Sequence, residues 1–300
     1  MMRPTSATIS TSITSPSTST GAPSLALGSP VHIAIRATPP AIWAEAREIW
    51  QHRELFYFLA WRDLKVRYKQ TALGVGWAIG QPLLSVVVST LIFGRLAHMP
   101  SEGVPYPMFF LAGQLPWTLM AAGVGAAANS LSGNSSLVTK VYFPRMIIPG
   151  AAVLSGSIDS VIGGAALAFL MVGYRVHASP RLLLIVPLAT IIVVLSSAVG
   201  GWLAAVTVKY RDVRYVVPFF MQLWFFATPV IYPSSLIPAT WRWLLACNPM
   251  AGFIDAFRAI CFGKTIDGAA LTISAAVTVA VFIVAARTFR HIEHTCADYI

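Results

Sequence analysis

The sequence predicts an all-α, polytopic membrane protein: six transmembrane helices, an N-terminal amphipathic interface helix, and re-entrant half-helices between spans 5 and 6. Three observations carry this expectation. The 300-residue chain is 56% hydrophobic and only 11% charged, far from the composition of a soluble domain. Seven stretches carry almost no charge: 70–94, 103–139, 146–174, 182–208, 215–241, 243–254 and 268–286. A helix rises about 1.5 Å per residue and needs roughly 20 apolar residues to cross about 30 Å of hydrocarbon. The stretch 243–254 is too short and holds Asn248-Pro249, which leaves six spans. Finally, the basic residues between the stretches alternate in density. With six spans both termini share a side. That side carries fifteen of the 21 Lys and Arg residues and the other side six, which places both termini in the cytoplasm. The net charge of +10 is therefore a topology signal, and with no basic stripe on a soluble domain it does not point to nucleic acid.

Along the chain, residues 1–35 are rich in Ser, Thr, Pro and Gly and read as a disordered cytoplasmic tail. No apolar core follows Arg3, so no cleavable secretory signal is expected. The lack of any acid before Glu45 resembles a transit peptide, but a plain solvated tail accounts for it equally simply. Residues 36–69 form a cytoplasmic amphipathic and basic segment. Ile42, Trp43, Ala46, Ile49, Trp50, Leu55 and Leu59 recur at helical spacing opposite Glu45, Arg47, Glu48, Arg53 and Glu54. Such a helix lies in the membrane interface or packs on a soluble partner. Four cations, Arg62, Lys65, Arg67 and Lys69, then fall within eight residues. They either hold topology and attract anionic lipid or dock a phosphate-bearing headgroup.

The transmembrane domain covers 70–286 and a short cytoplasmic tail 287–300. In span 1, Gly76 and Gly80 form a small-xxx-small pair suited to close helix approach, Pro82 predicts a kink, and Gln81 should face protein or a wet cavity. Between spans 2 and 3, Leu137–Arg145 is short, aromatic and basic. It reads as a small helix wedged into a partner's groove or as an ordinary interfacial turn. Asp159 is the one acid well inside a span, so it should be paired, protonated or turned to a polar space. Gly156, Gly163 and Ala166 share its face, which predicts a helix–helix contact. From Thr228 to Asp255 the density of prolines predicts broken, re-entrant backbone. Tyr232, Trp241 and Trp243 there either belong to an interfacial belt or line a path for sugar rings.

Chemistry within the chain is not expected. Cys261–Thr265 superficially resembles a phosphate-binding loop, but the position that needs its first glycine is Arg258. There is no H-E-x-x-H, no G-x-S-x-G and no usefully spaced carboxylate pair, so no catalytic residue is assigned. Cys247 and Cys261 could pair in an external loop. His291, His294 and Cys296 lack a fourth ligand, so no metal site is assigned.

Together several of these segments resemble the permease subunits of type-2 ATP-binding-cassette exporters, in the branch that exports lipid-linked O antigen, capsule or teichoic acid. The resemblance spans nearly all of 41–300. It rests on Lys65-Val66-Arg67-Tyr68-Lys69, Leu73-Gly74…Trp77…Gln81-Pro82-Leu83, Val138–Arg145, Lys209-Tyr210-Arg211-Asp212-Val213, Thr228–Pro233, Asn248-Pro249-Met250 and the Phe289…Asp298 tail. It implies a homodimer in the bacterial cytoplasmic (inner) membrane with two separate ATPase subunits below. ATP and Mg would sit on those partners, with no cofactor in this chain. Lys140, Tyr142, Phe143, Pro144 and Arg145 would couple to the ATPase. Arg62, Lys65, Arg67 and Lys69, with Trp77 and Gln81, would form the cytoplasmic gate beside an undecaprenyl-diphosphate-linked glycan. A drug or small lipid is the competing cargo. A membrane-embedded glycan-lipid transferase is the competing activity, but it would need a carboxylate or base pair near the membrane surface, which the chain does not offer.

Overall fold

Proline opens the helices Tyr106–Gly133 and Pro249–Phe262, and side-chain caps are supplied by Asn248 for the second of these and by Asp267 for the last helix. The computed structural model describes residues 50–69, 75–134, 137, 143–176 and 180–299, all within one compact unit covering 40–300. Residues 41–49, Lys140 and Tyr142 lie outside the described residues, as do the side chains of Trp77 and of positions 290–299. In order, the elements are α1 (Arg53–Lys69), α2 (Val75–Ser89), α3 (Tyr106–Gly133), α4 (Ile147–Gly156), α5 (Ile158–Gly173), α6 (Ile185–Lys209), α7 (Val213–Ala227), α8 (Arg242–Ala246), α9 (Pro249–Phe262) and α10 (Gly268–Tyr299). A π-helical turn, Thr90–Leu96, extends α2, and a 3-10 turn, Pro180–Leu184, leads into α6. No strand occurs among the described residues.

Among the described residues, five stretches are long and apolar enough to cross a membrane: Ile79–Leu96, Tyr106–Gly133, Ile147–Gly173, Pro180–Lys209 and Gly268–Phe289. The sixth expected span differs. α7 stops after 15 residues because Thr228 turns extended (φ −107°, ψ 140°) ahead of Pro229. A residue before proline is pushed out of the helical region. The third span is one stretch but two helices. The Ser157 hydroxyl bonds back to the Val153 carbonyl at 2.8 Å, a back-bond that bends helices. The short stretch after Trp241 becomes α8 and α9, divided at Asn248. There the Asn side chain accepts from Met250 N–H while Pro249 opens the new helix. Gly263, in the left-handed region at φ 68°, ends it.

α3 is the axis of the bundle, with Phe109, Phe110, Leu111, Met120 and Val124 all buried. α6 runs along it at close range: a Cβ on Gly200 would lie 2.6 Å from the Ala127 Cβ. Gly156 approaches the Ala122 carbonyl of α3 and Gly163 meets Leu115, so the small-residue face expected around Asp159 does make a helix–helix contact. The Gly76–Gly80 pair does not make one within this chain, where an added Cβ at either position meets nothing within 4 Å. α10 packs on the other side of α6, and α9 is held between α3 and α10.

α1 departs from the expected amphipathic pattern over its described length. Leu59 and Ala60 bury against Ile147, Ile148 and Ala151 of α4, yet Trp50, Tyr57, Phe58 and Trp61 are exposed together with Lys65 and Arg67. Aromatics and cations share the outward side, as suits an interfacial helix whose rings and charges meet headgroups together.

Candidate functional site

At one end of the bundle, α1 reaches the junction of α4 and α5. Its cations are not equivalent. Arg62 donates to its neighbour Asp63 (2.7 Å) and to the Asn134 side chain at the end of α3 (2.8 Å). Arg67, in the last turn, pairs with Asp159 in the first turn of α5, Nη2 to Oδ2 2.7 Å. Lys65 stands over the Trp61 ring, 5.7 Å from its centroid, and Lys69 is exposed. Both arginines, whose forks suit two oxygens at once, thus already hold carboxylates. Gln81 is exposed on α2, whose helix continues through Pro82.

The 137–145 segment is described only in part. Phe143 does not project outward; it is buried with Leu59, Leu131, Ile147, Val208 and Phe289. Pro144 and Arg145 follow it at the surface, half-buried, directly ahead of α4.

At the opposite end, segments from four parts of the chain converge. Lys264 pairs with Glu102 at 2.9 Å, Arg181 donates to the Lys264 carbonyl, and the Ser235 hydroxyl reaches Glu102. Below them the proline-rich segment is stitched into place. Asn248 Nδ2 donates to the Thr228 hydroxyl (2.8 Å), and the Trp224 indole N–H donates to Asn248 Oδ1 (3.1 Å). Arg258, only 4% exposed, donates to the carbonyls of Pro229 (2.8 Å), Val230 (2.6 Å) and Phe109 (3.3 Å) and lies over the Phe109 ring. Tyr106 donates to the Ile231 carbonyl. Backbone freed by the prolines is therefore satisfied by side chains from α3 and α9, the condition for irregular backbone away from water. Asp255, one turn from Arg258 and outside the five candidate spans, has its carboxyl raised by burial, with the Ser234 hydrogen bond and Arg258 pulling the other way.

Tyr232 and Trp241 line a common cavity of about 520 Å³ with Trp224, Leu244, Cys247 and Asn248, whereas Trp243 is exposed outside it. Cys247 is exposed and Cys261 buried, and both are free thiols rather than a pair. Sequence reasoning gives Arg258 no part in holding the fold, and it does not show that Asp159 and Arg67 are partners. Proline density did signal that freed carbonyls would need donors; nothing in the sequence said which side chain supplies them.

The profile of the ABC-2 type transporter family matches residues 54–262, which holds α1 to α9. The chain belongs to the ABC-2 type transporter membrane family. It is 31% identical over 258 residues to the O-antigen export system permease protein RfbA of Myxococcus xanthus, covering 85% of this chain and 98% of that protein. An RfbA protein of the same description from Klebsiella pneumoniae is 24% identical, over 82% of this chain and 95% of its own length. The polysialic acid transport protein KpsM of Escherichia coli is 20% identical, over 76% and 90%. As an ABC-2 membrane subunit the chain is a multi-pass transport component rather than an enzyme.

Proposed function

We propose that this ABC-2 subunit exports a lipid-linked polysaccharide of the O-antigen, capsule or teichoic-acid type across the bacterial inner membrane. It would act as a homodimer driven by two separate ATPase subunits that bind ATP and Mg. The observation that carries this reading is the near full-length similarity to O-antigen export permeases. The geometry supports it at both ends. Arg62, Lys65, Arg67 and Lys69 cluster where α1 meets the bundle, a place for the diphosphate of an undecaprenyl-linked glycan. The surface around Lys140–Arg145 would dock the ATPase, with Arg145 rather than the buried Phe143 presented outward. The Tyr232 and Trp241 cavity offers aromatic faces to sugar rings.

Six crossings remain the preferred topology. α7 alone spans only about 22 Å. It nevertheless starts beside Val208 at the end where α1 packs, and the chain reaches Ser235 at the end where Glu102 and Lys264 meet. The segment 228–233, with its carbonyls satisfied internally, completes the fifth crossing, and α8 and α9 form the re-entrant part. The charge asymmetry then puts both termini in the cytoplasm.

Deleting the gene tests the cargo. Loss of surface polysaccharide with build-up of its lipid-linked precursor inside the cell is expected, reversed by the intact chain. Normal surface polysaccharide without precursor build-up would rule the glycan out and leave a drug or small lipid as the cargo.

A further inference from the structure

We propose that Asp159 is a built-in occupant of the headgroup site: its carboxylate holds the place on Arg67 that a phosphate of the cargo takes, and binding exchanges one anion for the other. This rests on the headgroup reading above and adds a residue that reading did not contain. The ion pair links two elements. Arg67 is in the last turn of α1 and Asp159 in the first turn of α5, 2.7 Å apart.

Three features favour exchange over a permanent brace. Carboxylate and phosphate both present oxygens that the guanidinium fork accepts, so they compete for the same donors. The two partners are also unequally exposed. The Arg67 side chain is 44% exposed and that of Asp159 23%, so an incoming anion meets the arginine first. Finally, Asp159 is the sole acid between Glu102 and Asp212, set within an apolar span where a carboxylate is costly. A group so unfavourable there calls for a reason, and its partner is a member of the proposed cargo site.

The neighbouring pair shows why Arg67 is the one that matters. Arg62 holds the carboxylate of Asp63, the next residue on the same helix, and its tie to α3 is the neutral Asn134 amide, so no anion there links α1 to another element. Displacing Asp159 removes the Arg67 tie between the last turn of α1 and α5, while Leu59 and Ala60 keep the middle of the helix on α4. Headgroup occupancy is thereby coupled to the position of α5 in the bundle.

The test uses the intact transporter, permease with its ATPase, in nanodiscs, with farnesyl diphosphate as probe and isothermal titration as the measurement. Removing a competitor should tighten binding. Asp159→Asn and Asp159→Ser should each bind the probe roughly tenfold more tightly, Asp159→Glu should bind as the unaltered protein does, and Arg67→Gln should bind at least tenfold more weakly. In the double variant Asp159→Asn with Arg67→Gln, the gain should vanish, because it acts through Arg67. If Asp159→Asn and Asp159→Ser weaken binding or leave it unchanged while Arg67→Gln weakens it, Asp159 is only a brace and this inference falls with the headgroup site intact. If Lys65→Gln and Arg67→Gln both leave binding unchanged, the headgroup reading itself fails, and the exchange with it.

Discussion

Arg258 shows how much one buried side chain can hold in a membrane fold. Three carbonyls from two segments converge on it, and it is almost wholly buried. Arg258→Met would leave buried acceptors unpaired, each worth about 1–3 kcal/mol. We expect a loss of about 3 kcal/mol or more in unfolding measured in mixed micelles. Arg258→Lys should recover little, since a single ammonium cannot reach three carbonyls as the fork does. A lysine variant as stable as the parent would show that charge, not geometry, matters there. Phe143 makes the complementary point. Its ring is core, so Phe143→Ala should cost about 3–5 kcal/mol of stability whatever its part in coupling. Arg145→Glu is the cleaner probe: the permease should still insert and dimerise while ATP-driven export falls severalfold. Export at the parent rate would remove Arg145 from the ATPase contact.

At the scale of elements, what the sequence reveals is length without charge, and that suffices for α3, α6 and α10. It does not suffice where an apolar run contains broken backbone. The stretch 215–241 is uncharged throughout, yet the helix ends at Ala227, because lipid-facing helix and protein-buried loop have the same composition. The division at Ser157 rests on a hydroxyl back-bond that apolar length cannot register, and the Arg67–Asp159 pair joins residues no local pattern relates. Small residues mark close approach without naming the partner. Gly200 and Gly80 look alike in sequence, but Gly200 faces α3 at contact distance, while an added Cβ at Gly80 meets none of the described residues within 4 Å. Gly200→Leu should therefore disrupt the α3–α6 core, costing about 3 kcal/mol or more, at or beyond the upper end of ordinary overpacking. Gly80→Leu should leave the fold of one chain untouched. If the bare face of α2 is where a second copy packs, the same substitution should convert dimer to monomer on size analysis in detergent. A Gly80→Leu protein that stays dimeric would place the interface elsewhere.

Across the whole molecule, the question of five crossings or six reduces to the path of α7 and the segment after it. Burying Arg258 removes a cation from the outer side and sharpens the charge asymmetry. The loop contacts make a separate argument. Glu102, Arg181, Ser235 and Lys264 meet at one end, while Leu59, Phe143, Val208 and Phe289 meet at the other. Asp212 follows Val208 by four residues, so α7 and 228–233 must carry the chain from one end to the other. With Cys247, Cys261 and Cys296 replaced by serine, a membrane-impermeant maleimide should label Ser235→Cys in intact cells. Asp212→Cys and Gly133→Cys should react only after the membrane is opened. None of the three engineered positions is a Lys or Arg, so the positive charges that set the topology stay in place. Were α7 to dip into the membrane and return, positions 212 and 235 would react on the same side, and the C-terminus would be exported. Reaction of both only after the membrane is opened would overturn the six-crossing topology while leaving the family membership untouched.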